Sequence, residues 1–170
     1  MQIKTVFAGF GGQGVLMMGY SFAQAAMFEG FHVTYLPSYG VEVRGGTANC
    51  TVAVSNEEIA SPVASQPDYA VVMNNPSLLT FQTRIAPGGA FFLNSSIITG
   101  RPNRNDVDIW EIPTAEIASG LGNPRVQNVV MMGAYVKMTR MVSPESYLKS
   151  LKSILGTKKK AAMEINRKAF

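Results

Sequence analysis

Residues 9 to 14 read Gly9-Phe10-Gly11-Gly12-Gln13-Gly14, a glycine cluster set between two contrasting segments. Before it lies a short β-prone run, Ile3 to Ala8, and after it a stretch from Gly14 to Phe28 rich in Ala, Met and Leu with apolar residues at helical spacing. Strand, tight loop and helix follow in that order. Gly9, Gly11 and Gly14 match the spacing G-x-G-x-x-G, in which glycine lets the backbone turn sharply and approach a ligand. The amides and dipole at the start of the following helix then attract an anion such as phosphate. The same pattern also serves a tight turn with close helix packing and no ligand, and the motif alone does not separate the two.

The rest of the chain repeats the alternation. His32 to Leu36 predicts a second strand stopped by Pro37, and Ala48 to Val54 a third. Tyr69 to Met73 and Ala90 to Leu93 are apolar runs that fit buried central strands, with a helix from Pro76 to Ile85 between them. Asp108 to Ile112 predicts a further strand, Thr114 a cap for a short helix, and Val126 to Met141 a long apolar helix; two last helices begin near Ser143 and Lys158. Strands alternating with helices argue for an α/β, Rossmann-like fold with a mostly parallel sheet and helices on both faces. At 170 residues the chain is expected to form one domain, residues 1–170, with a helical C-terminal segment from about 143. In such sheets ligands bind beyond the carboxyl ends of the strands, so the loops after Ala8, Leu36, Met73 and Leu93 are expected to line one crevice.

Several chemistries are disfavoured. A dinucleotide-binding dehydrogenase needs an acid at the end of the second strand to hold the ribose hydroxyls, yet that strand ends Tyr35-Leu36-Pro37-Ser38 and the nearest acid beyond it, Glu42, falls in the next loop. Gly14 is followed by Val15 and not lysine, so the nucleoside-triphosphate loop is absent. Cys50 is the only cysteine, which rules out a disulfide, a CxxC pair or a cysteine-ligated iron–sulfur cluster within the chain. His32, the only histidine, has no companion ligand and reads as a packed or surface imidazole; Ser21 and Ser38 have no histidine–acid partner. No catalytic residue and no metal site are expected. The ten methionines, Met17, Met18, Met131 and Met132 among them, read as core or interface packing, and Met131 and Met132 would mark a partner surface if they formed an exposed patch.

The segment Ser38-Tyr39-Gly40-Val41-Glu42-Val43-Arg44-Gly45-Gly46 is the least ordinary. Arg44 places a planar five-donor cation before two glycines, an arrangement suited to carboxylates and phosphates. An Arg44–Glu42 pair that fixes the loop, or a contact with a partner chain, explains the same residues. Tyr39 is placed to stack, to hydrogen-bond or simply to pack.

Charge is scarce, 15% against 46% hydrophobic residues, which suggests that partners cover part of the surface. The formal charge of +4 belongs to the tail: seven Lys/Arg face one acid from Lys149 to Phe170, leaving −2 for residues 1–148. A helix bearing Lys158, Lys159, Lys160, Arg167 and Lys168 reads as a solvated face, contact with an acidic partner comes next, and nucleic acid ranks low. No apolar run is long enough to span a membrane and no signal-peptide h-region follows Met1, so a cytoplasmic location is expected.

Taken together, GFGGQG after the first strand and PSYGVEVRGG after the second resemble the gamma subunit of the pyruvate, ketoisovalerate and 2-oxoglutarate:ferredoxin oxidoreductases. The likeness continues through Gly88-Gly89, Leu93-Asn94-Ser95-Ser96, Arg125-Val126-Gln127-Asn128-Val129-Val130-Met131-Met132-Gly133 and Asn166-Arg167-Lys168-Ala169-Phe170. Val41 departs from the family's tyrosine–glycine–proline–glutamate pattern. The resemblance implies a subunit, inactive alone, of a complex that decarboxylates a 2-oxoacid oxidatively with coenzyme A and reduces ferredoxin, with 2-oxoglutarate placed slightly ahead of pyruvate and branched-chain acids. It implies thiamine diphosphate held by alpha and beta subunits, and iron–sulfur clusters on beta or on a small ferredoxin-like delta subunit. For this chain the candidate ligand is coenzyme A, at Gly9, Gly11, Gly12, Gln13 and Gly14 and at Ser38, Tyr39, Glu42, Arg44, Gly45 and Gly46. An independent nucleotide-binding enzyme and a purely structural assembly subunit are the alternatives.

Overall fold

A computed structural model of the chain describes residues 1–39, 46–156 and 160–170. Among these residues six strands form one sheet: β1 (Gln2–Phe10), β2 (His32–Tyr39), β3 (Thr47–Ser55), β4 (Tyr69–Val72), β5 (Ala90–Asn94) and β6 (Asp108–Ile112), in the spatial order β2-β3-β1-β4-β5-β6. β1, β4, β5 and β6 pair in parallel, whereas β3 runs antiparallel to both β1 and β2. Five strands therefore point one way and β3 the other. The reason is length, because the link from Tyr39 to Thr47 is shorter than the ~12 residues a parallel crossover requires.

The expected second strand was to stop at Pro37, but β2 runs on to Tyr39. β2 is an edge strand, and an edge accepts proline where the missing N–H would face away from the ladder.

Side chains alternate between two cores. Val6, Ala8, Ala70, Val72, Phe91 and Leu93 face helix α2 (Asn75–Phe81), which supplies Leu78 and Phe81. Phe7, Cys50, Val52, Val71 and Phe92 face the other side, covered by α1 (Val15–Phe28) and α4 (Gln127–Thr139). There Tyr135 of α4 is fully buried, shares a 2.7 Å hydrogen bond with Thr5 Oγ1, and packs edge-on against Phe7, Phe22 and Phe92. Helices lie on both faces, as expected from the strand pattern.

Met131 and Met132 are wholly buried in this core, so they form no exposed patch and the partner surface entertained for them is not there. α3 (Thr114–Gly120) starts at Thr114, but the cap position is Pro113, and the Thr114 hydroxyl instead donates to Asn94 Oδ1 at 2.7 Å. The cap expected of Thr114 fails because its side chain turns back to the sheet. Ser143 does cap α5 (Pro144–Leu155), its Oγ accepting from the Ser146 amide at 3.1 Å. α6 (Lys160–Ala169) closes the chain, and the Phe170 backbone lies so close to Gly133 that a β-carbon there would meet it. Lys158, where that helix was expected to begin, lies outside the described residues.

Candidate functional site: a crevice at the end of the first strand

The chain leaves β1 toward β3 and β2 on one side and later returns to β4 on the other, so the sheet reverses direction of growth between β1 and β4. A ligand crevice belongs at that point, beyond the carboxyl ends of the strands. A hollow of about 430 Å³ opens there, bounded by Gly12 and Gln13 after β1, Met73 after β4, Ile97 after β5, and Arg125, Gln127 and Asn128 around the start of α4.

The glycine turn is held by its own polar groups. Gln13 Oε1 accepts from the Phe10 amide at 2.7 Å and Gln13 Nε2 donates to the Met73 carbonyl at 3.1 Å, tying the turn to the end of β4. The Gln13 amide donates to the Phe10 carbonyl at 3.1 Å, and the Gly11 amide to the Gly46 carbonyl at 2.9 Å. Among the described residues the amides of Gly12, Gly14 and Val15 have no acceptor. Gly12 (φ 100) and Gly14 (φ 76) are left-handed, a conformation that bares successive amides on one side and that side chains with a β-carbon avoid.

Not every glycine serves the crevice. Gly9 is buried, and a β-carbon on it would press on Gln13 Oε1, Val15 and Met73. One on Gly14 would come within 2.5 Å of Asn128 Nδ2. Close packing accounts for these two, whereas Gly12 has open space around it.

Arg125 is exposed and is the one charged side chain lining the crevice among the described residues. Among the described residues the lining contains no Asp, Glu, His, Cys or Lys. A wall of backbone amides, carboxamides and one guanidinium suits the binding and orienting of an anion. Behind it Asn94 is fully buried, and its Nδ2 has no partner among the described residues while its Oδ1 accepts from Ser96 N and Thr114 Oγ1.

The second half of the predicted site is only partly within view. Ser38 is exposed on β2, separated from β1 by β3. Tyr39 ends β2 opposite Ala48, which lines a smaller hollow of about 200 Å³ on the other side of the glycine turn, beside Phe10, Gly11 and Leu16. Gly46 reaches the turn through its carbonyl, as described. Glu42, Arg44 and Gly45 lie outside the described residues. Arg125, Gln127 and Asn128 were missed as site residues, although the segment Arg125 to Gly133 had already stood out; their sequence separation from the turn concealed that α4 begins beside it.

Residues 4–170 match the family described as pyruvate ferredoxin/flavodoxin oxidoreductase. The chain belongs to that family. Ketoisovalerate oxidoreductase subunit VorA of Methanothermobacter thermautotrophicus is 38% identical over 160 residues, covering 94% of this chain and 33% of that protein. The chain thus spans about a third of the length of this relative. The gamma subunit of a keto/oxoacid ferredoxin oxidoreductase from Geobacter sulfurreducens superposes with a TM-score of 0.83 at 27% identity, covering 98% of this chain and 93% of that one. The 2-oxoglutarate:ferredoxin oxidoreductase of Magnetococcus marinus, solved with 2-oxoglutarate, coenzyme A and succinyl-CoA bound, shares the fold with a TM-score of 0.91 at 24% identity, over 99% of this chain and 30% of that one.

Members of this oxidoreductase family are named for redox reactions, and the residues present here do not fit a redox centre. The single cysteine, Cys50, is buried, its thiol is pushed up to about 12 by burial, and its Sγ points to the Val15 carbonyl at 3.6 Å. Among the described residues no three His, Cys, Asp or Glu side chains gather as metal ligands, and no helix is long and apolar enough to cross a membrane.

Proposed function

We propose that this chain is the gamma subunit of a multi-subunit 2-oxoacid:ferredoxin oxidoreductase, and that its crevice receives the phosphate end of coenzyme A. In the complex a 2-oxoacid is oxidatively decarboxylated, the acyl group passes to coenzyme A, and ferredoxin takes the electrons. Thiamine diphosphate and iron–sulfur clusters supply that chemistry in companion alpha and beta subunits, with a ferredoxin-like delta subunit as a further member. Family relatives are named for ketoisovalerate and for 2-oxoglutarate, so the oxoacid is left to the companions and the earlier preference for 2-oxoglutarate is dropped.

One observation carries the reading. The glycine turn bares free amides to the hollows on its two sides, Gly12 to the crevice that Arg125 also lines and Gly14 and Val15 to the smaller one, and among the described residues no proton-transfer group lines either. That combination suits binding of a phosphate without catalysis on it. Arg44 is proposed as a second cation of the site, on the sequence reading alone.

A second reading, assembly around a ligand-free turn, is favoured by the packing of Gly9 and Gly14 and by the use of the Gly11 amide on Gly46. Purifying the tagged chain from its own cells and titrating the recovered complex with coenzyme A separates the two. Arg125→Ala is expected to weaken binding about tenfold, the loss of one charge-assisted hydrogen bond. Unchanged affinity in Arg125→Ala and Arg44→Ala would leave the assembly reading standing.

A further inference from the structure

A second hollow, of about 700 Å³, lies at the far end of α4 from the crevice. Its walls are Val136, Val142, Pro144 and Phe170, and its two cations are Lys137 and Arg140. Gly133, Val136, Lys137 and Arg140 recur at helical spacing, so the hollow runs along the face of α4 turned away from the sheet. At a rise of ~1.5 Å per residue, Lys137 and Arg140 lie ~15 and ~20 Å along α4 from Gln127 in the crevice.

Like Arg125, Lys152 and Arg167, the two cations are unspent among the described residues. Elsewhere Arg101 is paired with Glu111, Arg104 with Asp106 and Lys168 with Glu164. Lys4 donates to the Val63 carbonyl, and Arg84 and Lys149 lie over the rings of Phe81 and Phe28. Neither Lys137 nor Arg140 has a partner among the described residues. Among the described residues the one side-chain carboxylate lining the hollow, Glu29, accepts from the Ser143 amide at 2.7 Å. Arg140 is also the one non-glycine residue with positive φ among the described residues (φ 52), so a cation holds the cap position of α4 where glycine would fit with less strain.

We infer that this groove docks an apolar, acidic segment of a companion subunit, with apolar side chains against Val136, Val142 and Phe170 and carboxylates on Lys137 and Arg140. The inference rests on the proposed membership of a complex. Charge complementarity selects the occupant: a segment without carboxylates would leave two cations beside an apolar wall being stripped of water, and like-charged segments would be repelled. Docking here leaves the crevice open, because the two sites occupy opposite ends of one helix.

The test uses the complex purified through a tag on this chain. Carbodiimide joins an amine to a carboxylate with no spacer, and mass spectrometry of the treated complex is expected to find Lys137 linked to an Asp or Glu of a companion. Reversing charge in Lys137→Glu/Arg140→Glu should weaken association at least tenfold while circular dichroism and melting show the chain folded; Lys152→Glu, on α5 outside the groove, should leave association unchanged. Companions that co-purify while Lys137 stays as reactive toward an acylating reagent as in the free chain would overturn the groove alone. So would a Lys137 link to another copy of this chain, or a charge-reversed chain that assembles normally. If no companion co-purifies with the wild-type chain, the complex and the groove fall together.

Discussion

Gln13 and Met73, sixty positions apart, are joined by a 3.1 Å hydrogen bond from the Gln13 side chain to the Met73 carbonyl, and this bond fixes the glycine turn against the end of β4. Its other end accepts from Phe10, so one amide side chain serves two backbone groups. Gln13→Ala is expected to destabilise the chain by about 1–3 kcal/mol, since it strands the Phe10 amide and the Met73 carbonyl. Gln13→Glu keeps the acceptor for Phe10 but sets a carboxylate beside the Met73 carbonyl and the proposed anion site. It should lose more coenzyme A affinity than stability. Denaturant unfolding and calorimetric titration of the complex check the two separately.

Gly14 combines a left-handed backbone with contact to Asn128. Gly14→Ala is expected to cost about 1–3 kcal/mol through backbone strain. Adding Asn128→Ala should recover only part of that loss, because it removes the overlap and leaves φ unchanged. Full recovery would assign the glycine to packing alone.

Cys50 should resist alkylation. Burial holds its thiol at about 12, so the reactive thiolate is nearly absent at pH 8. Iodoacetamide at that pH should leave the folded chain unmodified and label the unfolded chain once. Gly19→Ala, whose new methyl would overlap Cys50 Sγ, should open this protection and lower stability by about 1–3 kcal/mol.

Acid should loosen the packing of α5. Burial works to raise the Glu29 carboxyl, but hydrogen bonds from Ser143 and Ser146 outweigh it and hold the group below its ordinary 4.5. A depressed carboxylate stabilises the fold above its unfolded value, and that contribution disappears as pH falls through the folded value. Glu111 and Asp106, held low by hydrogen bonds from Arg101 and Arg104, act in the same direction. Melting temperature should therefore fall as pH drops below about 4.5, and Glu29→Gln should flatten part of that decline.

Much of this was legible in the sequence because it depended on local pattern. The strand from Asp108 to Ile112 came out with its observed limits, and Ser143 marked the start of α5. Pro37 misled because the rule that proline ends a strand weakens at an edge, and edge position depends on the whole sheet. The antiparallel course of β3 was readable from the short link before it, had that length been weighed against the needs of a crossover. Arg125 and Asn128 could not be assigned to the crevice from spacing, since only the packing of Tyr135 on Phe7 and Phe92 seats α4 with its first turn beside Gly14. Met131 and Met132 read equally as core or interface until their complete burial decided for the core.

The central claim is that the unspent amides of the glycine turn receive an anion of coenzyme A. Hydrogen–deuterium exchange of the purified complex, with and without coenzyme A, measures those amides directly. Slower exchange confined to the peptides covering Gly12 to Val15 and Arg125 to Asn128 is the predicted result. Exchange there that does not change at saturating coenzyme A would contradict the account.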